Sequence, residues 1–351
     1  MKVDDIYLAG VGTHLPPAVP TEQAVKAGWW DADAREASGI ESVTVESELP
    51  APEMAVRAAR TALRRSGHRP EDFASLLHTG TFSQGQEGWS AQHYVLLHTL
   101  ATPISAVEVR QGCLGMLSAL GMAAAQLAAA PEGKDAVLLT GADTFSTPLV
   151  DRWRAMDLFV LGDAGSALVV SRRSGFARLL AVGSLSDPHM EWRHRDGRVQ
   201  LPPQQPQERL MDFQSRSDYW RRKWAEGHTP PGGSWQELCE EAVQRTLAEA
   251  GTAIEDIARV VTVSFTRDAL EAMFLEPLGI DISRSTWEMG RRTGHASVND
   301  LAIGLEYLWT TGQVVPGDRV LLVGATPGME CGCAVVEITA PPTGEADAVS
   351  G

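Results

Sequence analysis

The chain has 351 residues, of which 44% are hydrophobic, and this is enough to bury a large core. Its formal net charge is -15, so its overall field repels phosphate groups. Nucleic acid and anionic membranes are therefore excluded as main partners, although a local basic patch remains compatible with a phosphorylated cofactor.

The N-terminal residues and the cysteines indicate a cytoplasmic protein. The chain begins MKVDDIYLAGVG, with acidic residues where a signal peptide needs a basic and then a long apolar stretch. No segment approaches about 18 uninterrupted apolar residues, so no membrane span is expected. The four cysteines, at positions 113, 239, 331 and 333, lack metal-site spacing and are expected to be reduced thiols. No metal site is predicted.

The first elements alternate between strand and helix. Residues 6–11 predict a strand, and residues 52–66 predict a helix with Ala55, Ala58 and Ala62 on one stripe. Residues 70–82 (PEDFASLLHTGTF) read as a loop followed by a buried strand. This order is typical of an α/β protein.

Cys113 lies in residues 108–120 (EVRQGCLGMLSAL), where a β-branched run meets a glycine before an Ala-rich helix. The unpaired amide groups and the positive dipole at a helix start favour a thiolate, which is the species that attacks acyl carbonyls. The alternative is a small buried apolar side chain, since free cysteine is among the most buried residue types.

Two segments of the chain recur at nearly equal displacements. Residues 70–82 match residues 254–266 (IEDIARVVTVSFT), and residues 136–142 (AVLLTGA) match residues 319–325 (RVLLVGA). The displacements are 254 − 70 = 184 and 319 − 136 = 183 positions. We interpret this as an internal duplication. It predicts two α/β halves, residues 1–173 and 174–351, related by a pseudo-twofold axis.

The duplication brings His295 to the same end of the molecule as Cys113. Helices over about 114–130 and 296–311 are the predicted buried pair between the halves. The same displacement maps Cys113 onto residues 294–297 (GHAS), which form another helix start. An imidazole beside a thiol is the arrangement that activates the thiol.

An insertion, about residues 189–233, separates the repeats and contains EWRHRDGR and DYWRRKWAEGHTPPGG. Its Arg and Trp content, in an acidic protein, indicates binding of an acidic cofactor or an aromatic substrate. The alternative, a solvated surface cap or a subunit contact, is at least as well supported by the sequence.

These features together resemble the thiolase fold and, within it, ketosynthase III enzymes of the β-ketoacyl-carrier-protein synthase type. The resemblance rests on the Cys113 context, on GDAGSALVV closing the first half, and on the ending RVLLVGATPGMECGCAVVEI. It implies duplicated βαβαβαββ halves in a layered α-β-α-β-α sandwich. It also implies a homodimer, which would cover the apolar sheet edge predicted near residues 104–111.

Members of that family are similar in using a Cys, a His and an Asn, and this chain departs from the pattern. The family's P-H-Q-A-N-like stretch is replaced by VTVSFTRDA, which has no His. The family's G-N-T-S stretch is replaced by residues 294–297, so His295 stands where the Asn is expected. Asp300 follows early in the same helix and can orient the ring. The predicted catalytic residues are therefore Cys113, His295 and Asp300.

This substitution predicts acyl transfer instead of condensation. Decarboxylative condensation needs the family's His and Asn together to stabilise an enolate, whereas one imidazole backed by a carboxylate is similar to a base and its orienting group. Ketosynthase III-like acyltransferases of antibiotic pathways resemble this arrangement. The alternatives are a condensing or priming ketosynthase and a non-catalytic binding subunit.

The predicted reaction moves an acyl group, of malonyl type and with its carboxylate kept, to a hydroxyl of a sugar or polyketide acceptor. The resemblance implies a coenzyme A thioester or an acyl carrier protein thioester as donor substrate. No permanently bound cofactor is predicted.

Other family positions transfer less completely. The second oxyanion donor falls on Pro327, which has no N–H, so Gly328 or a neighbouring amide is the oxyanion candidate. Trp30 lies near the positions that clamp coenzyme A in the family. Arg152 and Arg154 adjoin a family position for a phosphate-binding Arg, and are candidates for holding the phosphates or a free carboxylate. The alternative for both is a surface salt bridge.

Overall fold

The computed structural model describes residues 1–86, 88–146, 149–194, 211–228, 232–327 and 329–342. The helices are α1 (Thr21–Lys26), α2 (Ala32–Ser38), α3 (Ala51–Ser66), α4 (Ala91–His98), α5 (Gly115–Ala128), α6 (Phe213–Ala225), α7 (Trp235–Ala250), α8 (Arg267–Leu270), α9 (Trp287–Thr293) and α10 (Asp300–Thr310). The strands are β1 (Tyr7–His14), β2 (Ala18–Pro20), β3 (Ser42–Thr44), β4 (Phe73–Thr79), β5 (Ser105–Val109), β6 (Ala136–Asp143), β7 (Ala164–Ser171), β8 (Ala177–Ser186), β9 (Ile257–Thr262), β10 (Arg319–Thr326) and β11 (Glu330–Ile338). None of these described helices is both long enough and apolar enough to cross a bilayer.

Nine of the described strands form one hydrogen-bonded order, β5-β4-β6-β7-β1-β8-β11-β10-β9. In the first group β5, β4 and β6 are parallel, and β6, β7 and β1 are antiparallel neighbours. The second group repeats this pattern, with β9 parallel to β10, and β10, β11 and β8 antiparallel. The groups meet at β1 and β8 through Tyr7–Arg178 and Leu8–Ala177. The predicted thiolase-like α/β fold is confirmed.

Alternate residues of the central strands face different apolar cores, because successive side chains of a strand point to opposite faces. Val137 of β6 and Val320 of β10 face the core that contains α5 and α10. Leu138 of β6 faces the core under α3, and Leu321 of β10 faces the core under α7. The buried helices α5 and α10 therefore lie between two sheet faces, and α3 and α7 cover the outer faces. This is the predicted α-β-α-β-α layering.

Both central helices begin after a single 3-10 turn, formed by Gly112–Leu114 and Ser297–Asn299. The helix predicted from about residue 296 therefore starts at Asp300, since residues 297–299 form the tighter turn. Cys113 lies within the first turn and His295 lies just before the second. The two side chains thus enter the same region from equivalent helix starts.

The second group of strands has no full counterpart of β5 among the described residues. Only an isolated parallel bridge between Val260 and Ser285 stands at that edge. Residues 282–287 (ISRSTW) lack the β-branched apolar alternation of β5 (SAVEV), which explains the missing strand. The predicted boundary at residue 173 falls in the turn between β7 and β8 and stays a prediction.

The edge strand β5 is the feature on which the prediction of a homodimer rests. It stands at the end of the sheet order with no further described strand beside it. Val107 of β5 is 45% exposed and Leu97 of α4 is 65% exposed. Because an unpaired edge with exposed apolar side chains favours association, we expect a homodimer. Light scattering at micromolar concentration should give about twice the 37.8 kDa chain mass, and a one-chain mass would contradict the prediction.

Candidate active site

The thiol, imidazole and carboxylate predicted from the sequence form one hydrogen-bonded chain. Cys113 Sγ is 3.1 Å from His295 Nε2, and His295 Nδ1 is 2.6 Å from Asp300 Oδ2. His295 and Asp300 are each 1% exposed, whereas Cys113 is partly exposed. The structure therefore brings all three side chains together where α5 and α10 begin, and leaves the sulfur accessible. Their catalytic role stays a prediction.

Asp300 is fixed by backbone donors. The Ser264 amide donates to Asp300 Oδ2 at 2.7 Å, and the Ala296 amide donates to Oδ1 at 2.8 Å. Asp300 is also the first residue of α10, where the positive end of the helix dipole favours a negative charge. Since both carboxylate oxygens are held, Oδ2 orients His295 Nδ1 and leaves Nε2 for the thiol.

The His295 ring is held by its own backbone and by two aromatic rings. Its amide donates to the Val160 carbonyl at 2.8 Å, and its carbonyl accepts from Gly162 at 3.0 Å. The ring centroid is 4.7 Å from that of Phe159 and 5.4 Å from that of Phe265. Phe265 belongs to the stretch in which the family's His is missing. An apolar ring, not a second imidazole, therefore faces His295 from that stretch.

The ionisation of His295 follows from this setting. Burial alone lowers the pKa of His295, but the charges of Cys113 and Asp300 together with their hydrogen bonds raise it to about 10. His295 is therefore an imidazolium at neutral pH, with its Nε2 directed at the Cys113 sulfur. The pKa of His295 lies above its ordinary value of 6.5, so protonation of His295 stabilises the folded protein. This contribution is complete below pH 6.5 and is lost as the pH rises toward 10.

Two glycines surround Cys113 for steric reasons. Gly112 has a φ of 49°, and a Cβ there would lie 2.1 Å from Thr326 Oγ1. A Cβ at Gly115 would lie 1.8 Å from Thr79 Oγ1. Neither position accepts a side chain, so the G-C-L-G pattern around the thiol is required by packing.

A second polar group reaches Cys113 from another direction. Ser297, which has a φ of 56°, lies with its hydroxyl 3.9 Å from Cys113 Sγ and hydrogen-bonds to Thr81. Buried Asp143 accepts from the amides of Thr81 and Phe82, each at 2.9 Å. Burial raises the pKa of Asp143 to about 7. Sequence reasoning missed this network because its members come from separate strands and loops.

Cys113 and His295 open into a cavity of about 420 Å³. Most of the described side chains that line it are apolar, and aromatic rings are prominent, including Phe159, Phe213 and Trp220. This size and lining are typical of a pocket for a small organic ligand.

The described parts of the insertion form one wall of this cavity. Arg193 and His194, from the turn Pro188–His194, line it together with Phe213 and Trp220 of α6. These described parts of the insertion therefore face the cavity as well as the surface. The Arg and Trp content of the sequence was the signal, but it did not indicate which residues face the thiol. Residues 195–210 and 229–231 lie outside the described residues.

Arg152 and Arg154 do not line the cavity. Arg152 is buried and donates to Asp163 Oδ2 at 2.9 Å and to the Leu161 carbonyl at 3.1 Å. Arg154 is exposed and bonds to Asp151 at 3.3 Å. The structure therefore gives no support to either residue as a holder of an acyl carboxylate. The alternative of ordinary ion pairs describes both side chains.

The remaining candidates lie away from the thiol or outside the described residues. Trp30 packs on Trp153, with ring centroids 5.8 Å apart, and does not line the cavity. Pro327 lines the cavity, but the oxyanion candidate Gly328 is not among the described residues. All four cysteines are free thiols, and only Cys113 is not buried.

Sequence comparison identifies the family of this chain. The family described as 3-oxoacyl-[acyl-carrier-protein] synthase III matches residues 107–188, and its C-terminal part matches residues 247–338. The β-ketoacyl-[acyl-carrier-protein] synthase III of Aquifex aeolicus is 24% identical over 335 residues, which is 94% of this chain and 98% of that protein.

Solved structures agree with this assignment. The acyltransferase ChlB3 is 38% identical, with a TM-score of 0.89 over 96% of this chain and 98% of that one. The 3-oxoacyl-[acyl-carrier-protein] synthase III of Aquifex aeolicus shares the fold, with 21% identity and a TM-score of 0.74 over 95% and 99% of the two chains. The identity to ChlB3 extends over nearly the full length of both chains and is higher than similarity of fold alone requires. Together with the matches to the family, it shows that this chain belongs to the ketosynthase III family of thiolase-fold transferases.

Proposed function

We propose that this protein is an O-acyltransferase that works through an acyl group on Cys113. The donor is a coenzyme A or acyl carrier protein thioester, and the acceptor is a hydroxyl of a sugar or polyketide. The observation that carries the proposal is the hydrogen-bonded chain of the Cys113 thiol, the His295 imidazole and the Asp300 carboxylate. In such a chain the imidazole can accept a proton from an incoming hydroxyl and return it to a leaving sulfur. The similarity to the acyltransferase ChlB3 agrees with it.

In the first step the Cys113 thiolate attacks the thioester carbonyl. The new carbon–sulfur bond forms as the bond to the donor sulfur breaks, and the leaving thiolate takes the proton from His295 Nε2. Cys113 is then acylated and His295 is neutral, with Asp300 holding the Nδ1 proton.

In the second step the neutral imidazole acts as the base. The acceptor hydroxyl gives its proton to His295 Nε2 while its oxygen attacks the acyl carbonyl, and Cys113 leaves as the thiolate. The imidazolium and thiolate pair is thereby restored. Asp300 stabilises the imidazolium in this step because its Oδ2 lies 2.6 Å from Nδ1.

Decarboxylative condensation needs more hydrogen-bond donors than the chain of Cys113, His295 and Asp300 supplies. The enolate left by decarboxylation needs preorganised donors, and loss of one such donor typically costs about 100- to 1,000-fold in rate. The rings of Phe159 and Phe265, which pack on His295, offer no donor. A condensing ketosynthase is nevertheless the second candidate, since the curated relative from Aquifex aeolicus is named as one.

The size of the cavity indicates which acyl groups it can hold. Its volume of about 420 Å³ and its aromatic lining exceed what a small malonyl group needs. The proposal therefore includes bulkier acyl groups beside the malonyl type that the sequence predicted.

A panel of acyl thioesters tests the proposal. Intact-mass spectrometry should detect an adduct on Cys113 that keeps the whole acyl mass, and addition of hydroxylated acceptors should release an ester. Absence of any adduct would favour a non-catalytic role. Carbon dioxide released in step with product would favour condensation.

Asp300→Asn is expected to slow acyl transfer on the order of 10³- to 10⁴-fold, as loss of the orienting carboxylate does in a related proton relay. The Asp300 charge helps raise the pKa of His295, so its removal weakens the imidazolium that stabilises the thiolate. The pH profile of Cys113 alkylation by iodoacetamide should therefore move to higher pH. The exposed Asp268→Asn is the matched control. An unchanged alkylation profile in Asp300→Asn would exclude the proposed relay.

A further inference from the structure

Arg193 is an unusual side chain in the wall of the cavity. Among the described residues that line it, Arg193 is the only Arg, Lys, Asp or Glu. Its side chain is partly buried, and its Nε is fully buried with no hydrogen-bond partner. No described carboxylate forms an ion pair with it, in contrast to Arg152, which is paired with Asp163 at 2.9 Å. A cation withdrawn from water without a partner is costly, so this arrangement is typical of a ligand site.

Two indole rings hold the Arg193 guanidinium in place. Its central carbon lies 5.8 Å from the centroid of the Trp192 ring and 6.0 Å from that of the Trp224 ring. Such contacts fix the direction of the guanidinium but leave its N–H donors unused. The donors are therefore preorganised for an acceptor that enters the cavity.

Among the described side chains of the insertion that line the cavity, Arg193 is the one that carries a positive charge. Burial, together with the charges of Arg216 and Arg193, lowers the pKa of His194 to about 4, so His194 is neutral at pH 7. Burial also lowers the pKa of Arg193, and the charge of Asp187 partly opposes this, but an arginine stays charged in proteins. An anionic or strongly accepting oxygen is the complementary ligand.

We propose that Arg193 binds an oxygen of the acyl group itself, remote from the thioester, as a carboxylate or as a hydroxyl on an aromatic ring. This inference rests on the proposed function. The acyl group is the occupant because it is attached to Cys113, which opens directly into this cavity. Phe213 and Trp220 cover the apolar part of the group, and Arg193 recognises its oxygen. This residue takes the part that the sequence assigned to Arg152 and Arg154.

Matched pairs of coenzyme A thioesters test the inference. Malonyl is compared with propionyl and succinyl with butyryl for a carboxylate, and hydroxybenzoyl with benzoyl for a ring hydroxyl. The rate of adduct formation on Cys113, followed by intact mass, is measured without any acceptor. The wild type should favour the oxygen-bearing member of at least one pair by about 10- to 100-fold, the range expected of a charge-assisted hydrogen bond. The pair that shows the preference identifies the source of the oxygen.

Arg193→Gln should lower that preference, measured as the ratio of the two rates within a pair, toward one. Arg193→Lys should keep part of a preference for a carboxylate, since it keeps the charge without the planar fork. The matched control is Arg216→Gln, a neighbouring cation of α6 that packs over Phe213 and does not line the cavity. It should retain the wild-type preference.

The remaining outcomes overturn the inference. Equal wild-type rates for both members of every pair would exclude an acyl oxygen at Arg193, while the adducts themselves would still support the proposed function. An Arg193→Gln variant that slows all thioesters equally would assign the residue to the carrier portion of the donor. A variant with normal adduct formation but impaired ester release would assign it to the acceptor. No adduct with any thioester would instead count against the proposed function.

Discussion

Cys113→Ala is expected to abolish acyl-enzyme formation, with a loss of transfer of roughly 10⁶-fold, as for removal of other covalent nucleophiles. The thiol lies 3.1 Å from His295 Nε2 and opens into the cavity, so it is the sulfur that a thioester can reach. The other three cysteines are buried. A hydrogen bond with Cys331 and burial raise the pKa of Cys239, which keeps that thiol unreactive.

The matched control is Cys239→Ala, which removes a thiol of the core and should retain the mass increment. Because Cys239 packs in the core under α7, this variant is expected to lose stability without losing the adduct on Cys113. Peptide mapping of the wild-type adduct should place the acyl group on the peptide that contains Cys113. A mass increment that persists in Cys113→Ala would make the nucleophile assignment wrong.

The sequence predicted the architecture because a duplication is a one-dimensional signal. The two displacements related residues 70–82 to 254–266, and the corresponding strands β4 and β9 occupy equivalent places beside β6 and β10. The same displacement related Cys113 to the segment of His295, and these side chains are in contact. The loss of a strand equivalent to β5, where only a bridge at Ser285 remains, was not predictable in this way. A duplication does not show whether each copy of a strand keeps its backbone hydrogen bonds.

The cavity could not be predicted from the sequence, because it is built from segments that are far apart in the chain and adjoin only after folding. Arg152 and Arg193 illustrate the difficulty. Both are arginines in an acidic protein, but the partner that neutralises Arg152 is Asp163, which approaches it only in the folded chain. Arg193 has no such described partner and lines the cavity. Composition indicated a basic and aromatic insertion. Only the fold separates the cation that is paired with Asp163 from the cation that has no carboxylate partner among the described residues.

His295→Asn is expected to eliminate ester formation without creating condensation. The substitution restores the residue that the family has at this position, but Asn cannot accept a proton from a hydroxyl at neutral pH. It also removes the imidazolium that stabilises the Cys113 thiolate, so adduct formation should slow as well. Condensation should not appear, because the family's own His is still missing from the stretch that holds Phe265, and one donor alone does not stabilise the enolate.

Two readouts separate these effects. Ester release from the acylated enzyme, prepared at high pH to overcome slow acylation, reports the base, and carbon dioxide from malonyl thioester reports condensation. The matched control is His228→Asn, an exposed histidine of the described chain, which should behave as the wild type in both assays. Decarboxylation gained by His295→Asn would mean that a second enolate donor exists near the thiol. Carbon dioxide released by the wild type in step with product would mean that His295 and Asp300 support condensation, and the assignment of His295 as the base for an acceptor hydroxyl would be wrong.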